Sequence, residues 1–319
     1  MNLSTSIVVP VKNESRGIRA CLDSWINQTS PIQEIVVIDS GSTDGTLEIC
    51  KEYSQVRVIQ IPAEEFNHGT TRNVAMQSVT GDLTLMTVGD GRAYDEHVIA
   101  NMQRHFSDDS IAGVCGLQVV PHDLDKNPTR WYRPCSIPTP KKFIYANANS
   151  FKVLPPRQKL EAASWDNVIS MYRTGVLRDQ IPFREVIYGE DPIWAIEALQ
   201  SGHGLIYDSN CRVYHYHHED RDVTYKRSIT IHFLRHSLFQ LQPQPSGSSA
   251  RHFLSCAKSL FLNQQLSLKE KFNWLYFSIS NRHAMRRAQH DFCTALVQGE
   301  TALEKLHQTC TGKTFKIAA

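Results

Sequence analysis

Neither sign of charge dominates this 319-residue chain, in which 34 Lys and Arg stand against 32 Asp and Glu. The balance hides an asymmetry, because residues 1–219 carry 20 basic and 26 acidic side chains whereas 220–319 carry 14 and 6. An acidic first two thirds argues against a nucleic-acid-binding protein. Cysteine is sparse. The eight Cys form no CxxC and no tight cluster, which speaks against a disulfide scaffold and makes reduced thiols the expectation. Long apolar runs are missing too. Residues 7–11 are too short for a secretory signal, and residues 274–277, the longest apolar run near the end, cannot span a membrane. A cytosolic protein is therefore expected. The chain also lacks the GxGxxG and GxxxxGK[ST] spacings, so no standard dinucleotide or triphosphate loop is present. With 41% hydrophobic and 21% charged residues, general disorder is excluded.

What is present begins as alternating strands and helices. Residues 6–10, 34–38, 56–61 and 83–88 are short β-branched runs of the kind buried on both faces of a parallel sheet. Between them, Ile18, Cys21, Leu22, Trp25 and Ile26 recur at helical spacing. Asp44 reads as the N-cap of a helix carrying Leu47, Ile49 and Cys50, and residues 68–78 form a further helix. This alternation predicts an α/β fold with a mostly parallel, doubly wound sheet.

The middle is less regular, since residues 121–156 hold seven of the 14 prolines and are expected to be long loops. A strand is predicted over 165–172, a helix over 192–200, and two short strands over 205–207 and 211–216. Residues 243–249 have the composition of a linker. Beyond it, residues 268–308 are helical by pattern.

In an open parallel sheet, ligands bind beyond the carboxyl ends of the strands. Those ends carry Lys12, Asn13 and Glu14, then Asp39, then Asp90. An acidic edge without a phosphate loop suits a divalent cation that brings diphosphate to carboxylates. Three segments, Val9-Pro-Val-Lys-Asn13-Glu14, Val37-Ile-Asp39-Ser-Gly-Ser-Thr-Asp44-Gly and Tyr188-Gly-Glu190-Asp191, resemble the inverting glycosyltransferases of family 2, which have the GT-A fold. Phe66-Asn-His68-Gly69-Thr-Thr-Arg72-Asn73, residues 182–191 and Val213-Tyr-His215-Tyr-His217 resemble the branch that holds bacterial rhamnosyltransferases and similar surface-polysaccharide enzymes. The resemblance covers residues 4–218.

The resemblance implies a Rossmann-like sheet with helices on both faces, forming a catalytic domain over 1–219, and a basic helical appendage over 220–319. Pro10, Asn13, Glu14 and Asp39 would hold the donor nucleoside, with Arg72 against its base or diphosphate and His68 on the same wall. Asp90 matches the last acid of the family's DxD motif, here reduced to Val88-Gly89-Asp90, and His215 would complete a Mn²⁺ or Mg²⁺ site. His217 shares its strand face two residues on; the alternatives are a surface cluster at the strand edge and a structural zinc site of Cys211, His215, His217 and His218. Asp191 would take the proton of the acceptor hydroxyl, with Glu190 placing it or contacting the acceptor. Trp165, Asp166 and Asn167 would line the acceptor side, with Trp165 equally suited to the core.

The implied partners are a nucleotide-sugar donor and a glycan or lipid-linked saccharide acceptor. The basic, partly apolar C-terminal region suits peripheral contact with the inner face of the cell membrane, or packing onto the catalytic domain. Two readings from other classes stand beside the enzyme: a non-catalytic sugar-nucleotide or glycan-binding protein, and a membrane-associated assembly adaptor.

Overall fold

The structure, a computed structural model, describes residues 3–131, 140–244 and 247–313. It divides into two compact units, one of residues 1–119 and 135–215 and the other of 120–134 and 216–319. In the first unit the chain runs β1 (Thr5–Val11), α1 (Ile18–Ile26), β2 (Glu34–Asp39), α2 (Thr46–Cys50), β3 (Val56–Gln60), α3 (His68–Met76), β4 (Leu83–Met86), β5 (Arg92–Ala93) and α4 (Val98–Gln103). It continues through β6 (Ile111–Val119), β7 (Lys141–Phe143), α5 (Ala148–Lys152), α6 (Pro156–Ala162), β8 (Ser170–Arg173), α7 (Glu190–Gln200) and β9 (Gly204–Tyr214).

The described strands form one sheet in the order β3-β2-β1-β4-β8-β6-β9-β5, with β7 also on β9. β1 is buried at every position except Pro10, as a central strand covered on both faces must be. Ile7, Val9, Ile35 and Val37 meet Ile18, Leu22 and Trp25 of α1 and Ile99 and Met102 of α4 in one core. Each fully buried aliphatic or aromatic side chain there contributes about 1.5–3 kcal/mol. The alternate residues Val8, Val36 and Ile38 are equally buried and point the other way; α3 packs against β1 and β2. The parallel register places Val11 opposite Asp39 and Val8 opposite Met86. The segments after β1, β2 and β4 therefore emerge at one edge.

The strands β3, β2, β1 and β4 are parallel, as expected, and β8 is inserted antiparallel between β4 and β6. Several local expectations are corrected. The strand expected over 165–172 starts only at Ser170. The two short strands expected after residue 204 are one strand, β9, whose pairing with β6 shifts register between Cys115 and Leu117. That irregularity lets β9 stay paired past the polar residues 208–210 that suggested a break. Parts of 121–156 fold locally. β7 and α5 lie there, and α6 starts there on Pro156, with Asn147 capping α5 by accepting from the Ser150 N–H. Residues 132–139 of that stretch lie outside the described residues. Asp44 is not the N-cap of α2. Gly45 takes that place at φ 92°, while Asp44 accepts from the Thr46 N–H and hydroxyl.

The second unit contains α8 (Arg221–Phe239), α9 (Ser249–Leu262), α10 (Leu268–Gln298) and α11 (Glu300–Thr311). Ile229 and Phe233 of α8, Ala288 and Phe292 of α10 and Leu303 of α11 are buried. Ser267 and Glu270 close a capping box at the start of α10, which satisfies N–H groups that a helix end leaves open. No described helix is long and apolar enough to cross a membrane.

Candidate active site

The loop after β1 and the loop after β2 are stitched together. Asn13 adopts a left-handed conformation at φ 57°, which is costly for a residue with a Cβ unless its surroundings fix it. Here they do. The Asn13 N–H donates to Ser42 Oγ at 2.8 Å, and its side-chain oxygen accepts from the Thr43 N–H at 2.8 Å. The Glu14 N–H donates to Thr46 Oγ1. Asp39 is fully buried, and its carboxylate accepts from the N–H groups of Gly41 and Ser42 at 3.1–3.2 Å. Those bonds hold the turn and leave acceptor capacity, since a carboxylate has about four lone-pair sites.

The loop after β4 approaches this pair of loops closely. A Cβ on Gly89 would lie 2.9 Å from Glu14 Cγ and 3.0 Å from Val11 Cγ1, so a larger residue would push these side chains aside. Burial and the charges of Asp90 and Asp44 raise the Glu14 carboxyl to about 7. The edge thus concentrates negative charge. His215 meets it with Nε2 at 3.5 Å from Asp90 Oδ1, and its Nδ1 lies 2.8 Å from Gln118 Oε1. The second ring nitrogen is therefore oriented by a hydrogen-bond partner, here the Gln118 amide oxygen, as the outer nitrogen of a metal-binding imidazole is. The Asp90 carboxylate suits Mn²⁺ or Mg²⁺, an imidazole beside it favours Mn²⁺ of the two, and the repulsion among Glu14, Asp90 and Asp44 favours a cation. His217 belongs to the second unit.

Gly189 at φ 81° turns the chain into α7, so that Glu190 and Asp191 form its first turn. Their surroundings differ sharply. Glu190 is 4% exposed and its Oε1 lies 3.0 Å from Arg72 Nη1 and accepts from Asn167 Nδ2 at 3.0 Å. Asn167 Oδ1 accepts from the Tyr172 hydroxyl, which in turn accepts from Trp165 Nε1. One oxygen of Asp191 accepts from the Asn167 N–H at 3.2 Å. Burial first, then the charges of Glu190 and Asp166, raise the Asp191 carboxyl well above its ordinary value, while Arg72 and that N–H oppose the shift.

The helix α3 carries this arrangement. Asn67 caps it by accepting from the N–H groups of Gly69 and Thr70. Arg72 also donates from Nη1 to the His68 carbonyl, and the His68 ring stands edge-on to Phe66. Asn73 pairs with both backbone groups of Phe183. A Cβ on Gly69 would fall 1.9 Å from the Arg184 carbonyl oxygen. The motif read as a donor wall therefore holds the segment that leads into Glu190 and Asp191. Gly69→Ala should displace that segment and destabilise the protein by about 3 kcal/mol or more, measured as a shift of the urea midpoint.

The acceptor-side expectations divide. Trp165 is 5% exposed and packs on Tyr172, Trp194 and Tyr207, so it is a core residue and its ring is not offered to a sugar. Asn167 is buried as well and positions Glu190 and Asp191. Asp166 is half-buried, accepts from the Val168 N–H and pairs with Gln118. Gln118 thus joins His215 to Asp166. Nothing local in the sequence marks it, because its importance comes from the pairing of β6 with β8 and β9.

The model of the family described as glycosyl transferase family 2 matches residues 6–169, about half of the chain. The chain belongs to glycosyl transferase family 2. This family 2 enzyme is 29% identical over 219 residues to the O-antigen chain rhamnosyltransferase RfbN of Salmonella typhimurium, covering 67% of each chain. It is 28% identical over 222 residues to the O-antigen chain rhamnosyltransferase WbaN of Salmonella anatum, covering 67% of its own length and 66% of the relative's. Among solved structures, the mannosyltransferase PcManGT from Pyrobaculum calidifontis, in complex with GDP-Man and Mn²⁺, superposes with a TM-score of 0.54 at 17% identity. The match covers 97% of this glycosyltransferase and 80% of that chain. That likeness agrees with the α/β fold expected from the sequence.

Proposed function

We propose that this glycosyltransferase moves a sugar with inversion from a UDP-sugar or dTDP-rhamnose to a hydroxyl of a glycan or lipid-linked saccharide, in bacterial surface polysaccharide synthesis. The observation that carries this reading is Asp191. It is a half-buried carboxylate of raised basicity, held by the Asn167 N–H beside a Glu190 that Arg72 and Asn167 fix in place. A carboxylate whose pKa is raised above its ordinary value is a stronger base, suited to take a proton from a hydroxyl as that oxygen attacks an anomeric carbon. Two curated relatives of similar reach are O-antigen rhamnosyltransferases, which favours a polysaccharide acceptor.

In the proposed reaction Asn13, Glu14 and Asp39 grip the nucleoside from the stitched loops, with Pro10 as their floor. Asp90 and His215 would hold Mn²⁺ or Mg²⁺, which when bound supplies positive charge against the donor diphosphate. Asp191 accepts the proton of the acceptor hydroxyl, and Glu190, Asn167 and Arg72 hold its position. Calorimetry with UDP, dTDP and GDP compounds should show one nucleotide binding at least tenfold more tightly with Mn²⁺, an increment lost in Asp90→Ala. Equal binding with and without metal, or none to any nucleotide, would sink the donor assignment.

The same proposal includes peripheral attachment to the inner face of the membrane through α9 and α10. Phe253, Leu254, Leu262, Leu268, Phe272 and Tyr276 are all exposed there. Residues 250–290 carry seven Lys and Arg and one acid, Glu270. Exposed apolar side chains among basic ones suit an anionic lipid surface. Phosphatidylglycerol vesicles should sediment the wild type, and Leu254→Asp with Leu262→Asp should reduce the bound fraction about tenfold. Equal sedimentation of the two proteins would refute this attachment.

A further inference from the structure

The second unit carries a cavity of about 430 Å³, open to solvent and lined by the turn at 127–130, the start of α8 and facing sides of α9 and α10. Nothing in the proposed transfer uses it. Its wall carries two guanidinium groups, Arg130 and Arg282, and among the described residues neither has a carboxylate partner. The acid on the wall, Glu219, is paired with Arg227, so its charge is already met. The hydroxyls of Thr224, Ser255 and Ser259 also line the cavity.

Two side-chain atoms of this wall do not take part: Arg282 Nε and Asn281 Oδ1 are shut off from solvent and so from any ligand there. Arg282 Nη2 donates to the Gly247 carbonyl at 2.6 Å, and Asn281 Nδ2 donates to the Glu219 carbonyl at 2.9 Å, which fixes both side chains in the wall. A ligand that answers the two guanidinium groups must present anionic oxygen to them.

We propose that this cavity binds a phosphate ester bearing a free hydroxyl. Arginine forks match phosphate oxygens better than any other side chain, and the hydroxyls of Thr224, Ser255 and Ser259 supply neutral donors and acceptors that can meet the ligand hydroxyl. The volume lies in the range of small-ligand sites. Two sources share this chemistry: a soluble phosphorylated sugar or polyol, and the headgroup of a phospholipid. The site stands independently of the donor and base assignments made above.

The test uses the full chain and follows the ring resonances of His252, which lines the cavity and is assigned by loss of its signal in His252→Gln. Glycerol 1-phosphate should shift them saturably, with chloride at equal ionic strength giving no such shift. Binding should weaken about tenfold or more in Arg282→Gln and in Arg130→Gln, and should persist unchanged in Asp90→Ala. Loss in Asp90→Ala would assign the ligand to the donor edge and overturn the proposal. So would an absent shift, or one equally strong in both arginine variants. Phosphatidylglycerol vesicles that reproduce the shift, with phosphatidylcholine inert, would identify a lipid headgroup as the source; a shift from the soluble ester alone would identify a soluble ligand.

Discussion

Replacing Asp191 by Asn is expected to lower kcat by about 10²–10⁴-fold, the usual worth of a positioned general base, while donor binding stays within about twofold. The amide is nearly isosteric and cannot accept the proton. Activity needs the ionised carboxylate, so in the wild type kcat/KM should fall as pH falls through a midpoint above the ordinary carboxylate range. Because Glu190 and Asp166 both act on Asp191, that midpoint belongs to the group of acids rather than to one residue. Stability should change in the opposite sense. A carboxyl whose folded pKa is raised favours the folded state at low pH and loses that advantage as pH rises from about its unfolded value through the folded one. Asp191→Asn removes the charge that burial opposes, so above neutral pH the variant should melt higher than the wild type, with the gap closing on acidification. An inactive variant that melts lower would point to damage rather than to a lost base.

The second large effect is expected at Arg72. Its ion pair with Glu190 is 3.0 Å long and almost completely shielded, with side-chain exposures of 6% and 5%. Removing one member of such a pair leaves a buried charge uncompensated, at a cost of about 3–5 kcal/mol. Arg72→Met should therefore lose that much in chemical denaturation and should reduce kcat through the displacement of Glu190 and its neighbour. Arg72→Met combined with Glu190→Leu should recover part of the stability, because the orphaned charge is gone, yet it should not recover kcat. A double-mutant cycle showing simple additivity in stability would mean that the pair does not couple as the geometry requires.

These two predictions also mark what could be read in advance. The strands β1 to β4 were legible because a short β-branched run has one good environment, a sheet covered on both faces. The edge that gathers Asn13, Glu14, Asp39 and Asp90 followed from that topology. By contrast, Arg72 is expected from the sequence against the donor's base or diphosphate, since a helical Arg gives no sign of a carboxylate 118 residues later. Trp165 was ambiguous for a similar reason: its indole N–H finds a partner in Tyr172 only once β8 is paired. The prolines of 121–156 suggested loops, yet Pro156 opens α6 at a first-turn position where the missing N–H costs nothing.

The second unit is discontinuous along the chain, and this matters for the order in which it can form. Residues 120–134 belong to it, and Thr129 reaches Ser278 of α10, 149 positions later. During synthesis this stretch emerges long before the helices that cover it, so Pro128 and Trp131, both buried in the finished protein, must wait exposed. The delay is about 150 residues, or roughly 8–30 s at ordinary elongation rates. A stop codon introduced near residue 219 would make that exposure permanent, so a shortened chain would carry an adhesive patch within what looks like its catalytic half.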